Sequence, residues 1–250
     1  MPDHLILQLE APLMSFGDTM IDARGPTRDL PILSAVTGLI ANALGWRRGE
    51  RERHQNLQER LVMGARLDRP GTELRDFQTA QLAQSDEGWT TRGRPEGRAG
   101  GANTYNSPHI RERFYRADAL VIVAMRLEPA ADAPDLDAVE AALEMPARPL
   151  FIGRKPCLPS TPIKAGRIDA ATTLDALKRW PLAESSGNAK VVRLIIPERD
   201  VAARSGSRPI RVADQRNWIS GVHAGESELC LLHIERTQFQ RPESMTEVTS

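Results

Sequence analysis

Seven consecutive apolar residues, Ala119 to Met125, constrain the fold more than any other stretch of this 250-residue chain. With Arg126 and Leu127 they predict a strand over 119–127 that lacks a polar face. Such a strand is stable only in the middle of a sheet covered on both sides. The run is far too short to span a bilayer, which takes roughly 20 apolar residues as a helix. A globular protein without a membrane partner is expected, and a chain of this length hides roughly 70% or more of its unfolded surface.

The elements around that strand alternate. His4–Leu9 reads as a strand, and Ser34–Gly45 as a helix with Val36, Leu39, Ile40, Ala43 and Leu44 at helical spacing. Ser34 is the expected N-cap and Gly45 the expected stop. Arg47–Gln58 predicts a second, solvated helix, Leu61–Leu67 a strand, and Asp68–Gly71 a turn. Beyond the central strand come a helix at Leu136–Met145, a short strand at Pro149–Gly153, and an extended Pro-rich segment at Cys157–Pro162. A short helix at Leu174–Trp180 and strands at Val191–Ile196, Pro209–Val212 and Glu228–Ile234 follow. Strand, helix, strand, insertion, strand, helix, strand is the split βαβ order of a ferredoxin-like (RRM-like) α/β (α+β) fold. The expected division is a ferredoxin-like domain over 1–155, a small C-terminal β-rich portion over 156–240 and a disordered tail over 241–250.

The insertion, at about 78–116, differs in character. It carries Gly88, Gly93, Gly97, Gly100 and Gly101, the aromatics Trp89, Tyr105, Phe114 and Tyr115, and six arginines against four acids. Apolar residues are too sparse to bury two faces, so a two-stranded ribbon with a Gly-rich tip is expected. Arms of about 11 residues reach about 35 Å, well beyond the ~18 Å radius of gyration of a compact chain this long. The ribbon should project and rest on a partner. Alternation sets Arg111, Arg113 and Tyr115 on one face and Glu112 and Phe114 on the other.

Formal net charge is zero, which argues against indiscriminate nucleic-acid binding through bulk charge. The basic residues are 29 Arg against 4 Lys. Arg offers a planar five-donor fork suited to phosphates and base faces, although a high-GC genome gives the same bias. Cys157 and Cys230 form no disulfide framework and no zinc motif, and no signal peptide is visible, so a reduced, cytoplasmic protein is expected. No Asp/Glu/His cluster has metal-ligand spacing, and neither a P-loop nor a Ser-His-Asp pattern is present; no cofactor or metal is expected. Of the histidines, only His109, near Tyr105 and Tyr115, sits where a metal-free ribonuclease site could be built. A lone ribbon histidine is more often polar surface, so no catalytic residue is assigned.

Single-stranded RNA suits the remaining pattern, because splayed bases stack on rings and guanidinium planes. Ser15, Phe16 and Gly17 follow the first strand, and Arg24 and Arg28 flank a Gly-Pro turn just before a helix N-terminus, where phosphates are favoured. Each has a plainer reading. Arg24 and Arg28 can pair with Asp18, Asp22 and Asp29, and Phe16 can close the sheet edge. Arg47 lies beside Glu50 and Glu52. The ribbon residues Arg92, Arg94, Tyr105, Arg111, Arg113 and Tyr115 mix cations with rings. Arg154 and Lys155 can complete a basic rim near the first strand, or follow a turn that Gly153 requires.

Three stretches resemble a known family. They are Leu9–Gly17 with Gly25–Arg28 and Thr37–Gly45; Asp76–Thr79 with Tyr105–Leu120; and Arg148–Ser160. In order and spacing the chain resembles the Cas five family of RAMP proteins, in its type I-E branch. The C-terminal third matches only loosely, through Arg211–Asp214 and the last strand. The resemblance implies a RAMP fold whose ribbon is a thumb. It implies a non-catalytic subunit of the Cascade surveillance complex in antiviral defence that holds the 5′ handle of the crRNA and caps the backbone filament. The implied partners are the crRNA, the backbone subunit CasC, the large subunit CasA and, through the assembled complex, target DNA. The alternative is a crRNA-processing endoribonuclease acting on repeat RNA, as some relatives are.

Overall fold

The computed structural model describes residues 1–20, 22–81, 83, 86–87, 108–183, 189–201 and 207–239. The central strand is β7 (Leu120–Leu127), and all eight of its residues are buried. Its side chains alternate between two cores. Val121, Val123, Met125 and Leu127 enter one, and Leu120, Ile122 and Ala124 the other.

β7 pairs antiparallel with β1 (Asp3–Glu10) on one side and with β4 (Leu61–Arg69) on the other. The outer edge of β1 pairs with β8 (Lys164–Asp169). Beyond β4 come β9 (Val191–Pro197), β11 (His223–Glu235) and β10 (Arg208–Arg216), completing a seven-stranded sheet in the order β10-β11-β9-β4-β7-β1-β8. The connections leave and re-enter through helices. β1 reaches β4 by way of α1 (Leu33–Ala43) and α2 (Arg51–Arg60), and β7 reaches β8 by way of α3 (Leu136–Glu144). All three pack on one face, through residues such as Ile40, Leu57 and Val139. α4 (Thr173–Arg179) covers the other, through Ala176 and Leu177.

The fourth strand of the βαββαβ order was expected at Pro149–Gly153. That segment is not a strand. The edge of β1 is already taken by β8, so residues 149–153 loop across the start of the chain instead. The Ile152 N–H donates to the Cys157 carbonyl (2.8 Å), and the Ile152 carbonyl accepts from the Ser15 N–H (3.2 Å). The sheet also runs without a break across residue 155, because β8 and β9 flank the two sides of its first three strands.

Other differences have local causes. Ser34 is buried inside α1 and does not cap it. The N-cap position is Ile32, and the Leu33 N–H is met by the Asp214 carboxylate of β10 at 3.4 Å, a partner 181 positions away. Gly45 ends the helix as expected, with φ +76° just past it. The Arg148 guanidinium then takes up the Gly45 and Trp46 carbonyls. α2 is not simply solvated: His54, Leu57, Gln58 and Arg60 are buried. The expected four-residue turn at 68–71 shrinks to Pro70–Gly71, because β4 continues through Asp68, which is buried against Arg66.

The ribbon forms from β5 (Thr72–Ala80) and β6 (His109–Ala117), so its first arm starts six residues before position 78. Its pairing runs from Thr72 opposite Ala117 to Ala80 opposite His109. Two short strands, β2 (Leu13–Met14) and β3 (Arg24–Gly25), pair with β6 and tie the ribbon base to the loop after β1. The Gly-rich tip and the tail expected to be disordered lie outside the described residues.

Candidate nucleic-acid interface

The loop after β1 is built by backbone closure. The Phe16 N–H donates to Thr27 Oγ1 (3.0 Å), whose hydroxyl donates to the Arg28 carbonyl (3.2 Å). The Arg28 N–H returns to the Gly17 carbonyl (3.3 Å). Gly17 has φ +71°, a left-handed conformation that favours glycine. Residues 15–17 are thereby clamped against 27–28.

This loop, one side of α1, the 151–154 loop and the end of β10 enclose a cleft of about 810 Å³. α1 presents Ser34, Ala35 and Gly38 to it, side chains small enough to leave the space open. Ser15, Phe16, Gly17, Arg28 and Arg154 all line it, so five of the expected residues converge.

Two polar groups on its 15–28 side lack a protein partner. Ser15 is 2% exposed and its Oγ makes no hydrogen bond, and the buried Nε of Arg28 has no acceptor. The other end of the Arg28 guanidinium pairs with Asp18 at 2.7 Å, so the ion-pair reading and the open-donor reading both hold for one side chain. Leaving such a group unmatched costs about 1–3 kcal/mol. A guanidinium fork and a hydroxyl on residues lining one cleft are suited to the oxygens of a phosphate.

Arg154 organises the boundary between cleft and ribbon. Its guanidinium donates to the Phe114 and Gly25 carbonyls, each at 3.1 Å, and its Cζ lies 4.7 Å from the Tyr115 ring centre. Tyr115 is 4% exposed and belongs to the core. Phe16, at 3% exposure, is also in the core. Neither ring presents an open face to a base. Arg24 is exposed, with its Cζ 4.8 Å from the centre of the Phe114 ring.

Farther along the ribbon, Arg111 and Arg113 are exposed and share one face, opposite Gln78 and Asp76 in the ladder. The other face carries Phe77 and Ile110, 53% and 43% exposed, with Glu112 near Arg75. Arg47 and Lys155 are exposed and do not line the cleft. Arg92, Arg94 and Tyr105 lie outside the described residues. His109 ends the ladder opposite Ala80. Among the described residues no group of His, Cys, Asp and Glu could hold a metal ion, and no helix is long and apolar enough to cross a membrane.

Three cleft residues escaped sequence reasoning. Asn42, one turn past Gly38 on α1, also lines it, and its amide donates to the Pro149 carbonyl at 2.9 Å. Arg216 and Trp218 arrive from the C-terminal third. Nothing local marks them; α2 brings them in, through Gln58, which bonds the Arg216 backbone and the Trp218 indole N–H, and Gln55, which accepts from the Trp218 backbone N–H.

Comparison with known proteins follows the same line. The family described as CRISPR-associated protein (Cas_Cas5) matches residues 4–230. "CRISPR system Cascade subunit CasD" of Escherichia coli (strain K12) is 28% identical over 188 residues, spanning 72% of this chain and 78% of the relative. A chain of a "CRISPR RNA-guided surveillance complex" superposes with a TM-score of 0.65 at 22% identity, covering 96% of this chain and 94% of the other. A second solved chain, from "Crystal structure of Cas protein", gives a TM-score of 0.65 and 22% identity, covering 95% and 98%. These two likenesses are of fold.

Proposed function

The chain belongs to the CRISPR-associated Cas five family, and on that premise we propose that it is a non-catalytic subunit of a type I-E Cascade surveillance complex that holds the 5′ handle of the crRNA. The observation that carries this reading is the cleft after β1, whose lining residues Ser15 and Arg28 each hold a buried polar atom, Oγ and Nε, without a protein partner. Handle phosphates supply the acceptors that these donors lack. Gly17, whose Cβ position is open, lets the RNA backbone come close, and Arg154 and Lys155 extend the basic rim.

The strand order β4-β7-β1-β8 with its two helical crossovers supports a ferredoxin-like RAMP domain, and the β5–β6 ribbon is its thumb. The two thumb faces divide the work. Arg111 and Arg113, with Arg92, Arg94 and Tyr105 of the same insertion in sequence, meet RNA. The face with Phe77 and Ile110 meets the backbone subunit CasC. The large subunit CasA docks nearby, and target DNA is met only through the assembled particle. Neutral net charge fits a part enclosed by protein neighbours, so the free chain binds handle RNA weakly and gains affinity in the complex.

No cutting is assigned to it. Tyr115, the described tyrosine nearest His109 in sequence, is buried beneath Arg154 and is not available as an acid.

The test is crRNA retention by the complex purified with this chain changed at Arg24, Arg28 and Arg111 to Ala. Loss of the crRNA from intact particles is expected. Full retention overturns the reading in favour of a protein scaffold, and cleavage of repeat RNA in EDTA that is lost in His109→Ala overturns it in favour of a nuclease.

A further inference from the structure

One wall of the cleft comes from the C-terminal third of the chain. Arg216 closes β10, and its backbone is fixed on both sides by Gln58: the amide side chain donates to the Arg216 carbonyl (2.9 Å) and accepts from its N–H (3.2 Å). Trp218 donates its indole N–H to the same Gln58 oxygen at 2.9 Å. The Arg216 guanidinium carbon then lies 5.0 Å from the Trp218 ring centre, and His54 packs on the indole at 4.8 Å. Both partners of the indole are accounted for, so Trp218 is a platform that orients Arg216 and not a surface for a base.

Three polar atoms in this one cleft lack hydrogen-bond partners: Ser15 Oγ, Arg28 Nε and Arg216 Nε. Ser15 is 98% buried, with 2% of its surface exposed. Arg28 spends part of its charge on Asp18. Arg216 makes no ion pair with a carboxylate among the described residues, although it lies two positions from Asp214. A guanidinium that is positioned by stacking, half-buried and left without a counter-ion is preorganised for an anion from outside. The three atoms come from residues 15, 28 and 216, which share no local sequence. Only the folded sheet assembles them.

We propose that Arg216, oriented by Trp218, forms with Arg28 and Ser15 a subsite for a single RNA phosphodiester, so that the C-terminal hairpin is part of the RNA grip. This rests on the RNA reading of the cleft given above. Gly38 lines the cleft, and a Cβ there would meet only Trp218, at 3.8 Å, an ordinary contact.

The experiment is fluorescence anisotropy of a 3′-labelled single-stranded RNA carrying the repeat-derived 5′ segment, titrated with the full-length chain over a range of NaCl. Arg216→Gln is expected to weaken binding at least fivefold and to lower the log–log salt slope by about 0.7, the value for one lost contact on a single strand. Arg208→Gln, an exposed arginine at the far end of the same strand, is expected to change neither. Gly38→Leu is expected to lose binding to a similar degree with an unchanged or higher melting temperature, and it decides the matter if Arg216→Gln melts early. Wild-type binding with Arg216→Gln indistinguishable from Arg208→Gln, or with Gly38→Leu unaffected, overturns the subsite and leaves the handle-binding function standing. If the wild-type chain shows no binding even at low salt, the RNA reading of the cleft falls and the subsite with it.

Discussion

Gly153 lies so close to Ser15 that a Cβ added to it would meet the Ser15 carbonyl oxygen at 1.5 Å. Its φ of +89° is a second reason for glycine. Backbone cannot yield there, because Ser15 is also held by the Ile152 carbonyl. Gly153→Ala is therefore expected to destabilise the protein by about 2 kcal/mol or more. Urea unfolding would read this as a lower midpoint with an unchanged slope. The same variant should loosen RNA retention, since it pushes Ser15 away from the cleft.

Arg66 and Asp68 form a fully buried pair on β4. The guanidinium also donates to the carbonyls of Leu177, Trp180 and Pro181, and Asp68 accepts from the Ala183 N–H. The pair thereby fastens the segment after α4 to the sheet. Arg66→Met strands the carboxylate and is expected to cost about 3–5 kcal/mol. Guanidinium chloride denaturation would measure it. A loss under 1 kcal/mol would mean that the stranded carboxylate reaches water.

Acid should weaken the fold through one buried network. Burial, with Arg126 beside it, holds the His4 imidazole below its usual range. Burial also raises Asp200, but the Arg126 and Thr173 donors outweigh it and leave that carboxylate low. Both groups bind fewer protons folded than unfolded, so both contribute stability at neutral pH that is lost on acidification. The His4 part fades as the pH falls below about 6.5, and the Asp200 part below the ordinary carboxylate range. Thermal unfolding at stepped pH should show this two-stage decline, and His4→Gln should flatten the upper stage only.

Arg111 and Arg113 stand free of the core on one thumb face. Changing each to Ala is expected to leave the melting temperature within a degree or so and to reduce the salt slope of RNA binding by about 0.7 per residue. Phe77→Ser, on the opposite face, should leave RNA affinity alone and weaken association with the backbone subunit in co-purification.

Much of this was legible in the chain. The apolar run at 119–125 specified an interior strand because both of its faces had to be covered, and the sparse apolar content of the insertion pointed to a ribbon, whose described arms are β5 and β6. The fourth strand was not legible. Lys164–Asp169 reads as polar because it is an edge strand whose Lys164 and Arg167 pair with acids of α3. The Pro149–Gly153 segment looks more apolar because Leu150 and Ile152 are core residues of a loop. The site divided in the same way. Ser15, Gly17 and Arg28 sit within one continuous motif, whereas Arg216 and Trp218 are recruited by Gln58 from 158 and 160 positions away. No spacing rule detects a contact made by tertiary structure. Phe16 and Tyr115 were misplaced because an aromatic beside arginines looks the same in sequence whether it stacks on a ligand or anchors the loop that carries them.

The placement of β8 and β9 on either flank of β4-β7-β1 means that the chain has no early stopping point. A fragment ending near residue 155 would leave β1 and β4 with bare ladders lined by leucine, valine and methionine, inviting copies of the fragment to zip together. A ribosome must therefore release β8 and β9 before both flanks of β4-β7-β1 can be covered.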